Sequence, residues 1–355
     1  MADILSPDEK KECLDAAWRL EETGEVPFIV EIGPFHGATK EFFDDPAAEV
    51  KWNEELHRMR EGVYDYGLPN IKPNQGIGVV AAAFGCNYTV NDEADPWITA
   101  LIKEENAEDV HNLEVPDPQT NASFKKVWDR IDSLQELSSL PLRMVNVPSP
   151  LVTASMIWDY TSFIEALLIF PDEAHVLLEK VTEATIIYIR EQFRRIKDLF
   201  SVSHESICPV PRWAGVRVSD DTAALLSPDM YREFGLKYNN KISHEFGGIV
   251  VHSCGDVHQV VPAMMEIDGL KGLDFTISQV TNWEALRDAA AGKTMLCLRH
   301  RYWDHPIDAS VDLAEYSAKL ADFFGRKGLI IETSTATAEE ARALGEKLHA
   351  KLSRE

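Results

Sequence analysis

The chain has 355 residues and a formal net charge of −24, from 35 basic and 59 acidic side chains. This charge repels a phosphate backbone, so nucleic acid is not an expected partner. No apolar run reaches the roughly 18 residues that cross a bilayer, and the amino-terminal segment lacks a signal-peptide pattern. Because the five cysteines are scattered, they indicate thiols rather than a disulfide framework, and we expect a cytoplasmic protein without membrane contact.

The predicted elements begin with a helix, because Ser6 and Glu9 form a capping-box pattern around Pro7. Short runs of β-branched and apolar residues then recur along the chain and predict strands. These runs are FIVEIG from Phe28, GIGVVAAAFG from Gly76, PLRMVNVPSP from Pro141, ESICPVP from Glu205, GIVVHSCG from Gly248, LKGLDF from Leu270, TMLCLRH from Thr294 and GLIIETS from Gly328. Amphipathic helices are predicted over 172–200, 228–246, 283–291, 313–324 and 338–352.

Alternation of strands and helices favours parallel strands joined by crossovers. Eight strands predict an α/β protein with a single (β/α)8 barrel domain over residues 1–355, preceded by a helical segment. The acid-rich and proline-rich stretches 42–74 and 86–119 are predicted insertions over the carboxyl-terminal mouth. An open doubly wound sheet is the alternative, but no glycine-rich dinucleotide motif or phosphate-loop motif follows a predicted strand. Functional residues are therefore expected at the carboxyl ends of the barrel strands.

The run VVHSCGDVHQ from Val250 contains a candidate metal site. His252 and Cys254 share one face of the predicted strand, and Gly255 ends it. Imidazole and thiolate are zinc ligands, and a catalytic zinc needs three protein ligands with one open position. The alternative is a hydrogen-bonded core histidine beside a small buried cysteine.

Two segments carry a resemblance to a known family. WAGVRVSDDTAALLSPDMYREFGLKY from Trp213 and HSCGDVHQVVPAMMEIDGLKGLDF from His252 resemble the uroporphyrinogen decarboxylase superfamily, which includes zinc-dependent corrinoid methyltransferases. The similarity runs roughly from Val26 to the carboxyl terminus. It implies a (β/α)8 barrel, in agreement with the strand pattern.

The region of the first strand separates the two chemistries of this superfamily. Its decarboxylases carry an arginine-rich segment, similar to RQAGR, that binds substrate carboxylates. Here the stretch is VPFIVEIGPFHGATKEF, which contains no arginine but does contain Glu31 and His36. Porphyrinogen decarboxylation is therefore not expected, and Glu31 and His36 are the candidates for acid–base catalysis.

The methyltransferase branch carries H-x-C and a further cysteine after the last strand. His252 and Cys254 match the first part, but the last predicted strand, LIIETSTATAEEA, contains no cysteine. Cys297 is the candidate third ligand, with Glu332 and Glu31 as alternative oxygen donors. The resemblance implies zinc as cofactor and methylcobalamin or another methyl-corrinoid as donor. It also implies a small corrinoid-binding protein as partner, and a thiol or similar small molecule as methyl acceptor.

Two further segments contain candidate substrate-binding residues. Arg212, Trp213 and Asp220 lie where the resemblance places substrate contacts. The stretch RHRYWDHP follows the seventh predicted strand, and its candidates are Arg299, His300 and Tyr302.

Two other functions remain open from the sequence. The first is a decarboxylase or lyase that holds a small acid with Arg212, Arg299 or Arg301. The second is a non-catalytic barrel that binds a small ligand or a corrinoid protein.

Overall fold

Parallel strands form the centre of the molecule. The computed structural model describes residues 4–33, 40–90, 96–204, 209–300 and 311–353. The strands are β1 (Phe28–Ile32), β2 (Asn87–Thr89), β3 (Trp97–Thr99), β4 (Leu142–Arg143), β5 (Leu199–Ser201), β6 (Val216–Ser219), β7 (Ile249–Ser253), β8 (Leu270–Thr276), β9 (Met295–Arg299) and β10 (Leu329–Thr335). Six of them form one sheet in the order β1-β10-β9-β8-β7-β6, while β4 pairs with β5 and β2 pairs with β3. The six-stranded sheet and the β4-β5 pair are parallel, and β2-β3 is antiparallel.

Helices separate most of the parallel strands. They are α1 (Pro7–Trp18), α2 (Lys40–Asp44), α3 (Pro46–Met59), α4 (Val79–Ala83), α5 (Ala122–Leu137), α6 (Pro150–Ile157), α7 (Tyr160–Ile169), α8 (Pro171–Arg195), α9 (Pro228–Tyr231), α10 (Lys237–Phe246), α11 (Val261–Met264), α12 (Trp283–Ala290), α13 (Leu313–Phe324) and α14 (Ala338–Leu352). Shorter 3-10 helices span Glu104–Asn112, Arg212–Ala214 and Asp221–Leu225, and a π-helix spans Arg232–Leu236. The predicted capping box of α1 is present, with Ser6 and Glu9 bonded reciprocally. In the described part of the chain, no helix is long and apolar enough to cross a membrane.

A few backbone hydrogen bonds connect the six-stranded sheet with the β4-β5 pair. The backbone amide of Tyr66 donates to the carbonyl oxygen of Phe28 in β1, and the amide of Arg143 in β4 donates to the carbonyl oxygen of Ile71. At the other edge, the amide of Arg217 in β6 donates to the carbonyl oxygen of Val202. The segment 66–71 therefore lies between β1 and β4, and the residue that follows β5 lies beside β6.

The α/β class and the parallel sheet are confirmed, but the strand count differs from the predicted eight. The run from Gly76 contains the helix α4, because a short apolar run rich in alanine suits a helix as well as a strand. The run predicted from Glu205 begins in 205–208, outside the described residues, and the observed strands β5 and β6 lie on either side of it. In the described part of that run, Pro209 and Pro211 have no backbone N–H to donate to a strand ladder.

The strands of the main sheet are buried but not uniformly apolar. Every residue of β6, β7, β9 and β10 is buried, as expected when helices cover a parallel sheet. The buried side chains nevertheless include Arg217, His252, Asp274, Arg299 and Glu332. Buried charges are costly unless they are paired, so these five side chains mark a candidate functional region of the sheet.

Gly215, which precedes β6, provides a test of the sheet packing. Its φ is 92°, and a Cβ at this position would overlap the carbonyl group of Gly248. We expect Gly215→Ala to reduce the free energy of unfolding by about 2 kcal/mol or more, measured by denaturant titration. Gly247→Ala is the matched control, because φ is 77° there but no atom lies within 4 Å of an added Cβ. Equal losses in the two variants would contradict the close approach of the backbones.

Candidate functional site

The carboxyl ends of β6 and β7 bring three potential metal ligands together. Asp221, His252 and Cys254 each offer one donor atom, and these atoms all lie within 4.8 Å of one another. Nε2 of His252 is 3.0 Å from Sγ of Cys254, and the Asp221 carboxylate accepts a hydrogen bond of 2.7 Å from the Cys254 amide. Among the residues that the structure describes, this is the one such group of three. His252 is buried, Cys254 partly buried and Asp221 exposed, so the group is reached from the Asp221 side.

Sheet register and a close contact explain this convergence. Ser219, the last residue of β6, lies opposite His252, so the chain that continues into Asp221 passes beside the end of β7. Gly255 then allows the turn after Cys254 to approach the 3-10 helix, because a Cβ there would lie 2.9 Å from that of Ala224.

Asp274 of β8 supports His252 from behind. Its Oδ2 lies 3.3 Å from Nδ1 of His252, 3.0 Å from Nη2 of Arg217 and 2.5 Å from Nη2 of Arg299. Nε of Arg299 is also 3.1 Å from a carboxylate oxygen of Glu332. A ligating histidine usually donates its second ring N–H to such a carboxylate, which directs the other nitrogen toward the metal. This arrangement leaves Nε2 facing Cys254.

The charges around this group shift two pKa values in opposite directions. Burial and Arg217 act to lower the pKa of His252, but Cys254 and Asp274 raise it to about 9. Burial acts to raise the pKa of Asp274, but Arg299, His252 and Arg217 hold it well below its usual range. Asp274 is therefore an anion that holds two buried cations and a histidine in place.

A cavity opens at the end of β1. Its apolar lining includes Ile32, Trp52, Leu56 and Leu68, and its polar lining includes Glu31, Glu49, Asn53, His57, Arg60, Asn70, Lys72, Asn74 and Arg143. Burial raises the pKa of Glu31 to about 7, against the opposing effect of Lys72. The carboxyl group of Glu31 can therefore accept or donate a proton near neutral pH.

Cys297 does not join the three-residue group. It lies buried in β9, in register with Asp274 and Ile330, and the third donor beside His252 and Cys254 is Asp221. Sequence reasoning missed Asp221 because β6 was not predicted as a strand. The available signal was a pair of aspartates directly after the alternating run VRVS.

Arg212 and Trp213 lie at the other end of the sheet. Their 3-10 helix precedes β6, whose opposite end leads to Asp221. The guanidinium carbon of Arg212 lies 3.8 Å from the centroid of the Phe193 ring. These two candidate substrate contacts are therefore separated from the three candidate metal ligands by the length of a strand.

Asp220 and His300 are buried, and each forms hydrogen bonds with residues outside the three-residue group. Asp220 accepts hydrogen bonds from Ser149, Tyr231 and Asn239, and burial raises its pKa. Nε2 of His300 lies 2.8 Å from the hydroxyl of Ser317 in α13. Of the remaining candidates, Arg299 and Glu31 have the positions given above. His36, Arg301 and Tyr302 lie outside the described residues.

Known proteins resemble this chain in sequence and in fold. Residues 61–204 match the family model of uroporphyrinogen decarboxylase. The uroporphyrinogen decarboxylase of Flavobacterium johnsoniae is 28% identical over 182 residues, which cover 47% of this chain and 45% of that protein. The match thus spans less than half of that relative's length.

Two solved structures share the fold. A methyltransferase from Methanosarcina mazei superposes with a TM-score of 0.68 at 19% identity, covering 96% of this chain and 98% of that one. A protein from Listeria monocytogenes, assigned as a vitamin-B12-independent methionine synthase, gives a TM-score of 0.50 at 12% identity, with 86% of each chain covered.

The matches to the uroporphyrinogen decarboxylase family model and to the Flavobacterium enzyme agree with the sequence resemblance to this superfamily, and the Methanosarcina structure shares the fold. The family match ends at residue 204, before the three candidate metal ligands. The family match therefore assigns no role to these three residues.

Proposed function

We propose that the chain is a methyltransferase whose zinc ion is held by His252, Cys254 and Asp221. The observation that carries the proposal is the convergence of one nitrogen, one sulfur and one oxygen donor within 4.8 Å. Three ligands of these types with an open fourth position are typical of catalytic zinc. When bound, zinc would hold an incoming thiol as thiolate at neutral pH, the form that attacks a methyl group.

The residues of the chain would prepare this site in two ways. Cys254 and Asp221 supply two anionic donors, which match the charge of a divalent cation. Asp274 accepts the Nδ1 proton of His252 and is itself held by Arg217 and Arg299, so the imidazole keeps one orientation.

The methyl donor in this proposal is a methylated corrinoid carried by a small partner protein, and the acceptor is a thiol or similar small molecule. The superfamily placement supports this choice. We also infer that the sheet closes into a barrel, supported by the backbone hydrogen bonds that connect β1, the segment 66–71, β4, β5 and β6. The open mouth of such a barrel would receive the corrinoid at the end where Asp221 is exposed.

Metal content is the first test. Elemental analysis of protein purified without a histidine tag should find about one zinc per chain, lost in His252→Ala and Cys254→Ser. Methyl transfer from methylcobalamin to a thiol should be lost with it, while the variants remain folded. Cys13→Ser is the matched control, since Cys13 is also partly buried but lies in α1. A folded wild-type protein that binds no zinc when zinc is supplied would overturn the proposal.

The decarboxylase alternative has less support from the site. Arg299 is engaged by Asp274 and Glu332, and Arg212 lies at the opposite end of the sheet. Decarboxylation that survives chelation and depends on Arg299 would favour it over methyl transfer.

A further inference from the structure

The end of the main sheet that lies opposite the candidate metal ligands carries an exposed tryptophan. Trp213 belongs to the 3-10 helix that precedes β6, and 43% of its surface is exposed. The segment before it is anchored, because Nε1 of the buried Trp18 in α1 donates a 3.0 Å hydrogen bond to the carbonyl oxygen of Pro209. Ala214, which follows Trp213, is buried. The exposed ring is therefore held in place by the chain on both sides of it.

Two arginines adjoin this ring. The guanidinium carbon of Arg19, at the end of α1, lies 6.0 Å from the centroid of the Trp213 ring, and Arg212 precedes Trp213 in the chain. Both arginines are exposed, and neither forms an ion pair with an acidic residue in the described ranges of the chain, Glu21 included. Partial removal from water lowers the pKa of Arg212, and no carboxylate acts against this shift. Both guanidinium groups are therefore available to an anion from outside the chain.

Lys271 extends the positive charge at this end of the sheet. It is the second residue of β8, and its side chain packs against Gly248, which also contacts the backbone of Ala214. Among the residues that the structure describes, no acidic side chain forms an ion pair with Lys271. The nearby Asp268 contacts His244 instead, at 3.1 Å. Three cationic side chains thus surround the exposed tryptophan without acidic partners in the described chain.

This combination is unusual for a chain with 59 acidic and 35 basic side chains. Exposed arginines elsewhere are paired, as Arg58 is with Glu55 at 2.5 Å and Arg232 with Glu266 at 2.8 Å. Tryptophan and arginine are also the side chains most enriched among those that dominate binding energy at protein interfaces. Unpaired arginines beside an exposed tryptophan therefore indicate an interface with an anionic partner.

We propose that Trp213, Arg19, Arg212 and Lys271, the amino-terminal patch, form a docking surface for a short acidic segment of a partner protein. Carboxylates of the segment would pair with the three cations, and an apolar side chain would pack on the Trp213 ring. A nucleic acid or an anionic membrane would extend past the patch onto the acidic surface, which repels it over about 8 Å at physiological ionic strength. Because the patch and Asp221 lie at opposite ends of the sheet, this docking is independent of zinc and of methyl transfer.

The test is fluorescence anisotropy with the full chain and a labelled, capped peptide composed of aspartate, glutamate and leucine. A second peptide carries asparagine and glutamine in place of the acidic residues. We expect the acidic peptide to bind at least about tenfold more tightly than the amide peptide, and to dissociate as sodium chloride is added. Arg19→Ala and Arg212→Ala should each weaken its binding about tenfold, and Trp213→Ala should weaken it as well.

Arg58→Ala is the control, since it removes the same charge from an exposed position on α3, outside the patch. Thermal unfolding checks that each variant is folded, and Arg19→Ala alone decides the result if Arg212→Ala is unstable, because Arg212 also packs on the Phe193 ring. The proposal is overturned if the acidic peptide does not bind at low salt, or if the control weakens binding as much as the patch variants do.

Two other occupants of the patch have results of their own. A DNA duplex that binds the wild-type chain more tightly than the acidic peptide does, and loses affinity in Arg19→Ala, would replace the protein partner with a nucleic acid. Sedimentation that shows association of the wild-type chain with itself, lost in Arg19→Ala, would replace it with a second copy of this chain. Either result would overturn the proposal.

Discussion

Asp274→Asn is expected to lower the free energy of unfolding by about 3–5 kcal/mol and to weaken zinc binding about 10- to 100-fold. Asp274 is buried and in contact with Arg217, Arg299 and His252, so an amide would leave two buried guanidinium groups with too little negative charge. It would also remove the carboxylate that accepts the Nδ1 proton of His252. Denaturant titration measures the first effect, and competition with a chromophoric chelator measures the second.

Asp229→Asn is the matched control for stability. Asp229 forms an ion pair with Arg232 at 2.8 Å, but its side chain is 94% exposed. Because solvent screens such a pair, its loss should change the free energy of unfolding by at most about 1 kcal/mol. If both variants unfold at the same denaturant concentration, Asp274 does not organise the site.

Asp221→Asn is expected to weaken zinc binding by at least about 100-fold, and Cys297→Ser to leave it unchanged. Asp221 belongs to the three-residue group, whereas Cys297 lies buried in β9. The asparagine oxygen can still accept the hydrogen bond from the Cys254 amide, so the turn should persist. Zinc affinity, measured by chelator competition in both variants, therefore separates the two candidates for the third ligand.

The reverse result would identify Cys297 as the ligand. Zinc loss in Cys297→Ser with full affinity in Asp221→Asn would require β9 to supply the third donor. Because Asp221 is exposed, its replacement should leave the unfolding transition unchanged, and this serves as the internal check.

Local sequence patterns were sufficient for the second half of the fold. The predicted helices 313–324 and 338–352 coincide with α13 and α14, which begin at Asp312 and Thr337 side-chain caps. The strands β7 to β10 were predicted because buried parallel strands are nearly continuous apolar runs. In the first half, the run from Gly76 was assigned as strand and folds as α4, since periodicity cannot distinguish helix from strand in a short apolar run.

The sequence by itself placed His252 and Cys254 two residues apart at the end of one predicted strand, although β7 ends at Ser253 and Cys254 lies just beyond it. It also determined the α/β class. Only the tertiary structure decided that Asp221 completes the group, that Asp274 orients His252, and that Glu31 opens into a cavity. These relations depend on which strands are neighbours in the sheet and on what is buried, and neither property is encoded in local spacing.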